Sequence, residues 1–406
     1  MAEELLQYFA MKRYDTVVLG LGAMGSAALY QLAKRGRIVL GIDQFSPPHT
    51  LGSSHGDTRI TRLAIGEGAH YTPLAMRSHE IWREVERETG SQLLTVTGGL
   101  IISSRSKTSM LHVQDFFATT VAAAEKYGIA HQMLDAATIR KRFPEFNIRD
   151  DEVGYYEHEA GFVRPEACIR AELQLAKKYG AEIHTDERVR GYDVTNDGVT
   201  VSTDKDEYIT EKLIVTAGAW LPLLIGKRYR NIFTVRRQTL FWFATKGPIT
   251  PFLPKNFPIY IWELHGRKQA IYGFPAVDGE NGGVKVASQQ YEASTTADSV
   301  DRTVSDDEAA AMHDYIAPYL PGFSSRCIKA VACLYTVTPD AGFVIDFHPE
   351  SERVIIASPC SGHGFKHSAA IGQALAELAT EGKTRFDLSP CRLDRFWPTP
   401  TRARES

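Results

Sequence analysis

The sequence predicts an α/β chain of two domains, one wound around a parallel sheet and the other built on a mixed β-sheet. Three observations lead there. A strand–helix–strand unit opens the chain, the same rhythm returns in the middle and near the end, and the stretches between carry short β-like runs. With 406 residues the chain has room for about two or three domains. Its 43% apolar and 23% charged residues are those of an ordinary globular protein with a core that needs no staples.

The first unit reads plainly. "YDTVVLG" (14–20) is a buried strand, "GAMGSAALYQLAKRG" (22–36) a helix stopped by Gly36, and "IVLGID" (38–43) a second strand. Two parallel strands joined by a helix imply a sheet covered on both faces. A helix over about 165–179, stopped by Gly180, leads into the strand 181–185. Residues 199–220 read as a hairpin, a buried strand and a glycine turn, and 353–382 as strand, glycine-rich turn and helix. Residues 93–153 and 229–331 hold the β-like runs "LLTVTGGLIIS", "RRQTLFWFAT" and "QAIYGFP". The expected division is therefore a nucleotide-binding domain from 12–92, 154–228 and 332–397, with a substrate domain from 93–153 and 229–331.

Composition excludes several functions. A net charge of −3 offers no electrostatic face for nucleic acid. The longest apolar run, 213–226, is interrupted by Pro222 and is shorter than the ~20 residues of a membrane span. Five widely spaced cysteines contain no CxxC pair, which points away from zinc or dithiol chemistry, so no metal is expected. A reduced, cytoplasmic protein is the natural expectation. "MAEELLQYFA" lacks the regions of a signal peptide, Met11 offers an alternative start, and "RARES" matches no peroxisomal tripeptide.

Between the first strand and its helix lies Gly20-x-Gly22-x-x-Gly25. Gly20 allows the tight turn, Gly22 the approach of a pyrophosphate, and Gly25 the close packing of helix on strand. The helix N-terminus offers unpaired N–H groups and its positive dipole end to phosphate. Asp43 closes the second strand, where a carboxylate accepts hydrogen bonds from a ribose. Strand, loop, helix, strand and acid fall in register for a Rossmann-like dinucleotide site, and both NAD and FAD use such a loop.

Three longer motifs stand beside it: "PPHTLGSSHGDTRITRLAIGEG" (47–68), "YGFPAVDGENGGVKVASQ" (272–289), and "ACLYTVTPDAGFVIDFHPE" running into "SGHGFKHS" (332–368). Together with the loop, over about residues 14–397, they resemble the monomeric sarcosine oxidase family, which includes N-methyltryptophan oxidase and pipecolate oxidase. The resemblance implies a Rossmann-like FAD-binding domain, a covalently held FAD, oxidation of a secondary amino acid (N-methyl or cyclic) to an imine, and dioxygen reduced to hydrogen peroxide. It also favours a monomer whose partners are an amino-acid substrate and dioxygen.

The chemistry needs few protein groups, because the flavin ring carries the electrons. Arg62 and Lys366 are the expected carboxylate clamp, a planar fork beside a point charge. Arg59, three residues earlier, would face the same cleft if the segment is helical or turned, and the resemblance puts it near the flavin ring. "SGHGFKHS" reads as a turn whose N–H groups and Lys366 place positive potential beside the flavin, with Gly362 and Gly364 at the cofactor and His363 next to flavin or substrate. Lys285 occupies the dioxygen-activating position implied by the resemblance. Tyr272 and Tyr335 would line the substrate cavity, and Thr58 and Val189 complete the cofactor set.

Cys333 by its surroundings is a buried apolar thiol. The resemblance makes it the attachment point of the flavin through a thioether, with nearby positive charge favouring the thiolate. Departures also stand out: Gln289 replaces a family histidine, Ile65 a family tyrosine, and the interval from Tyr272 to Lys285 is longer. With Trp262 these changes predict a more apolar, reshaped pocket. Rival readings are a flavin dehydrogenase using another acceptor, a non-catalytic flavin-binding subunit, and an NAD-dependent dehydrogenase. Lys285 argues against the first, and Arg62, Lys285 and Lys366 together argue against the second.

Overall fold

A computed structural model describes residues 12–397 except 110, 112 and 292. The terminal peptides read above for targeting, with Met11, lie outside the described residues. The strand Arg13–Leu19, the helix Ala23–Lys34 and the strand Val39–Ile42 form as expected. They belong to an eight-stranded sheet whose centre is parallel. Arg13–Leu19 pairs with Glu207–Val215 on one side and Val39–Ile42 on the other, and Glu182–His184 extends the sheet. Val17, Val18, Leu213 and Ile214 are fully buried because both faces of this sheet are covered.

Residues 207–215 correct one detail. The sequence suggested a hairpin followed by a separate strand, but one nine-residue strand does both jobs. Its first half pairs antiparallel with Gly198–Thr203, and its second half runs parallel to Ser351–Ser358. The twist of a long strand lets different neighbours use its two halves.

The glycine-loop helix Ala23–Lys34 is sandwiched between the helices Pro165–Lys178 and Ser368–Glu381. Its alanines make that possible: a Cβ on Gly372 would collide with Ala27. The segments 23–34, 165–178 and 368–381, far apart in sequence, thus share one core with the helix Thr72–Thr89.

The second sheet has nine strands. Its longest ladder pairs Thr234–Thr245 antiparallel with Phe323–Val337, a strand that runs unbroken across residue 332. Val284–Ser288 and Ile271–Gly273 continue the sheet toward Ile259–Trp262 and Gly99–Ser104. A small third sheet joins Arg59–Thr61 and Leu94–Val96 through Gly161–Val163. Gly161 is forced there, since a Cβ would fall on the Thr95 carbonyl.

Trp262 does not shape a pocket. Adjacent strand residues point to opposite faces. Ile261 therefore lines the cavity described below, while Trp262 is fully buried among Phe146 and Tyr319, with its indole N–H donating to Glu152 at 2.8 Å. Ile65 is likewise fully buried, in the core around the three helices, away from the cavity.

Candidate active site

A long cavity of about 680 Å³ begins at the carboxyl ends of the parallel strands, at Gly20, Asp43, Thr216 and Ser358, and ends against the second sheet at Tyr272 and Lys285. The carboxyl edge of a doubly wound sheet is where loops diverge and leave a crevice. Fourteen of the sixteen residues named from the sequence line this cavity; Gly25 and Cys333 do not.

The first end is built mainly from backbone. Gly20 has φ +86°, a left-handed conformation in which a Cβ would also press on the Thr216 carbonyl at 2.7 Å. A Cβ on Gly25 would land on the Gly20 carbonyl, so this glycine acts by letting helix meet strand and has no place in the cavity wall. Gly22 differs: a Cβ there would meet only Ser54 Oγ, at 3.6 Å, so its missing side chain leaves free space at the helix N-terminus. That terminus has no acidic residue in its first turn and no side-chain cap from Gly22. The Ala23 N–H donates to Ser54 Oγ at 3.3 Å, a neutral partner that leaves the positive dipole end without a countercharge, and this with the open space and the glycine loop fits a pyrophosphate.

Asp43 accepts the N–H of Leu21 at 2.7 Å and of Phe45 at 2.9 Å. Burial raises its pKa, while these two N–H groups oppose the rise. The carboxylate thereby fixes the loop and still borders the cavity, beside Val189 and Glu187. The residues present fit a dinucleotide.

The other end is built from side chains. Arg59 begins the strand Arg59–Thr61 and Arg62 follows it, so the segment is extended, neither helical nor turned. Both nevertheless border the cavity, at different places. Arg59 donates to the carbonyls of Ser53 and Thr58 at 2.8 Å each, and its guanidinium lies 3.5 Å from Cys333 Sγ. Cys333 is 1% exposed, one layer behind the cavity wall. Burial raises its pKa, with Arg59 pulling the other way.

Arg62 is 2% exposed and packs on Phe116, with its guanidinium carbon 4.9 Å from the ring centre. It donates to Glu67 at 2.6 Å and to the Ala64 carbonyl. Lys366 reaches the other oxygen of Glu67 at 3.2 Å and the His363 carbonyl at 2.7 Å. Two cations thus share one carboxylate at the cavity edge. Burial lowers the pKa of Lys366 to about 8 against the opposing pull of Glu67, and Arg62 adds to the lowering.

His363 Nε2 lies 3.1 Å from the Ala341 carbonyl, and its Nδ1 lies 3.9 Å from Glu67. The expected donation of turn N–H groups toward the cavity is only partly available. The N–H groups of His363 and Gly364 are both spent on the Cys360 carbonyl, because the turn closes on itself. Gly364 is required by this closure, since a Cβ would strike the Pro359 carbonyl. Gly362, at φ +83°, admits the Tyr335 ring at a distance no Cβ would allow.

Tyr272 and Tyr335 face one another with hydroxyl oxygens 3.2 Å apart. Burial raises the pKa of both, so they act as neutral hydroxyls. Lys285 is 2% exposed and lies 4.6 Å from the centre of the Phe274 ring and 5.0 Å from that of Trp242. Its ammonium donates to the carbonyls of Gly56 at 2.6 Å and Thr58 at 2.9 Å, and to Thr58 Oγ1 at 3.2 Å. Burial and then Arg59 push its pKa well down, while three oxygen acceptors suit the charged form.

Sequence reasoning missed Glu67, although it lies in the same quoted motif as Arg62. It also missed Phe116, Ile261 and Phe274, whose apolar character gave no signal separable from core packing. Gln289 lines the cavity, so the change from histidine does bear on the pocket.

Known proteins resemble this chain over most of its length. The family described as "FAD dependent oxidoreductase" matches residues 15–378. Monomeric sarcosine oxidase of Streptomyces avermitilis is 42% identical over 372 residues, covering 91% of this chain and 94% of that protein. N-methyl-L-tryptophan oxidase of Escherichia coli is 34% identical over 392 residues, covering 95% of this chain and 100% of the relative. Among solved structures, NikD, an amino acid oxidase essential for nikkomycin biosynthesis, superposes with a TM-score of 0.80 at 21% identity, covering 94% of this chain and 97% of its own. L-proline dehydrogenase from P. horikoshii gives 0.78 at 22%, covering 95% and 98%. At those identities the two structures speak for the fold.

Proposed function

The chain belongs to the family of FAD-dependent oxidoreductases, and on that premise we propose that it oxidises a secondary amino acid, N-methyl or cyclic, to the imine while dioxygen becomes hydrogen peroxide. The observation that carries the substrate half is the buried pair Arg62 and Lys366 around Glu67 at the end of the cavity. Two cations against one carboxylate leave a net positive charge in a site of low dielectric, which an incoming amino-acid carboxylate would neutralise.

Gly20, Gly22 and the following helix N-terminus would hold the FAD pyrophosphate, with Asp43 and Val189 toward the adenosine. Thr58, Arg59, Gly362 and Gly364 would lie along the ring. Bound FAD supplies the two-electron acceptor for the amine and the donor for dioxygen. The protein does the rest. Arg62 and Lys366 fix the carboxylate, the Tyr272 and Tyr335 hydroxyls orient the amine, and Ile261 and Phe116 offer the remainder of the substrate an apolar wall. The cations around the cavity favour the neutral amine, whose lone pair the oxidation needs. Gln289 neither takes nor gives a proton there, so the amine proton leaves by another route. Lys285 would stabilise the negative charge that dioxygen acquires, and His363 would support the clamp from beside Glu67.

Two finer assignments belong to the same reading. The cofactor would rest on the segments 12–92, 154–228 and 332–397, and the substrate would lie between these, which carry Arg62, Tyr335 and Lys366, and the segments 93–153 and 229–331, which carry Phe116, Ile261 and Tyr272. Cys333 would hold the flavin through a thioether, with the Arg59 guanidinium 3.5 Å away favouring its thiolate. Among the described residues no helix is long and apolar enough to cross a membrane, and we place the enzyme in the cytoplasm as a monomer with no nucleic-acid partner.

The test is an anaerobic screen of N-methyl and cyclic amino acids, followed by loss of flavin absorbance, with peroxide counted under air. Bleaching by such substrates and one peroxide per turnover is the expected result. Failure of every amino acid to bleach would remove the enzymatic reading, and bleaching without peroxide would make the protein a dehydrogenase. Acid precipitation tests the tether: the yellow colour stays with the wild-type protein and passes to the supernatant in Cys333→Ser.

A further inference from the structure

The acceptors that hold Lys285 come from one turn, and that turn is held in an uncommon conformation. Gly56 has φ +96° and Asp57, a non-glycine residue, φ +68°. The Thr58 N–H donates to the Gly56 carbonyl at 2.7 Å, closing a three-residue turn around Asp57. A three-residue turn with a positive central φ is rare and strained, and such strain persists only where surrounding groups impose it.

Two groups impose it here. Glu166, in the first turn of the helix Pro165–Lys178, accepts both the Gly56 N–H at 2.6 Å and the Asp57 N–H at 3.2 Å on one carboxylate oxygen. From the other side Lys329 pairs with the Asp57 carboxylate at 2.7 Å. Lys329 and Lys285 also sit over the same indole, 4.7 and 5.0 Å from the Trp242 ring centre. The Gly56 N–H points to Glu166 and its carbonyl points to Lys285, so the peptide units of this turn link the acid to the ammonium.

We propose that Glu166, backed by the Asp57–Lys329 pair, is a positioning residue for the dioxygen half of the reaction: it holds the Gly56–Thr58 turn whose carbonyls aim the Lys285 ammonium into the cavity. The inference rests on the reading of Lys285 given above. Without Glu166 the N–H groups of buried Gly56 and half-buried Asp57 lose their acceptor, the turn relaxes toward ordinary φ, and the Gly56 carbonyl swings away from Lys285. The substrate clamp is held by other groups: Arg62 by Glu67 and the Ala64 carbonyl, and Lys366 by Glu67 and the His363 carbonyl.

The experiment uses the flavin-loaded enzyme and separates its two half-reactions by stopped flow. In Glu166→Ala, anaerobic reduction by substrate stays within about twofold of wild type. Reoxidation by dioxygen slows about tenfold, the worth of roughly one charge-assisted hydrogen bond. Glu166→Gln keeps an acceptor oxygen and restores most of the rate. Lys329→Met, on an accessible side chain, slows the same step by a smaller factor and covers the case in which Glu166→Ala fails to fold. A crystal structure of either slowed variant shows the Lys285 ammonium displaced from the Gly56 carbonyl. Lys285→Met is the reference. If it leaves reoxidation unchanged, the reading of Lys285 falls and this inference with it. If Lys285→Met slows reoxidation while Glu166→Ala and Lys329→Met leave it unchanged, or if the variants slow both half-reactions equally, the positioning role of Glu166 alone is overturned.

Discussion

The two ends of the cavity solve different problems with different materials. The proposed nucleotide end takes its glycine loop and acid from the short run 20–43, and it is built from backbone, a helix terminus and the space of missing Cβ atoms. The proposed reaction end draws Lys285, Arg62, Tyr335 and Lys366 from separate elements and is lined by charged and phenolic side chains. Glu67 and Lys366, which share an ion pair, stand 299 residues apart. A constant phosphate group can be met by local backbone geometry. A small reacting substrate needs charges placed from several directions, and only a folded core can supply them.

The largest effect that would sharpen this contrast is expected at the reaction end. Arg62→Ala leaves Lys366 and Glu67 to neutralise each other and removes the net charge that attracts a carboxylate. Steady-state kinetics should show kcat/KM lower by about 10²–10³-fold, mostly through KM, with flavin content unchanged. An unchanged KM would place the substrate carboxylate elsewhere.

Gly25→Ala tests the other end. Its Cβ would fall on the Gly20 carbonyl, so the helix must move off the strand. A loss of roughly 1–3 kcal/mol in denaturant unfolding and reduced flavin retention are expected. Retained flavin at full stability would show that this packing is not what shapes the loop.

A smaller effect comes from pH. With its pKa lowered to about 8, the Lys366 ammonium loses its proton as pH rises through that value. Apart from the titration of the substrate's own amine, kcat/KM should therefore be unaffected by pH below this point and fall above it, by at most about tenfold per unit. In Lys366→Arg the fall should disappear, because a guanidinium stays charged.

The smallest effect distinguishes a buried acid that takes no part in recognition. Glu172, on the helix packed against the glycine-loop helix, hydrogen-bonds with Ser26 Oγ at 2.7 Å, and burial raises its pKa to about 8. A carboxyl that binds its proton more tightly when folded stabilises the fold at low pH, and this contribution fades as pH rises from about 4.5 toward 8. Glu172→Gln removes that slope, so at pH 8 its Tm should exceed wild type by roughly 1–3 °C. Equal Tm values across this range would mean that the carboxyl titrates normally.

The sequence made the parallel core legible because its signals are local. Alternation and helical period fix Arg13–Leu19, Ala23–Lys34 and Val39–Ile42, and glycine spacing fixes the loop between them. Facing was less legible. Ile261 and Trp262 are neighbours of similar character, and only the placement of the strand in its sheet sends one to the cavity and the other to the core. Ile65 was misjudged in the same way. Glu67 and Glu166 gave almost no signal, because an isolated acid reads as a surface residue until its partners arrive from elsewhere.

By itself, then, the sequence determined the α/β architecture, the glycine loop, and most of the charged and phenolic side chains that meet where the cavity reaches the second sheet. The tertiary structure decided which of those side chains share a charge, which carbonyls hold Lys285, and which aromatic residues face the cavity. The physical reason is range. Backbone preference and periodicity act over a few residues, whereas ion pairs and packing in a buried site depend on atoms brought within a few ångströms from hundreds of residues away.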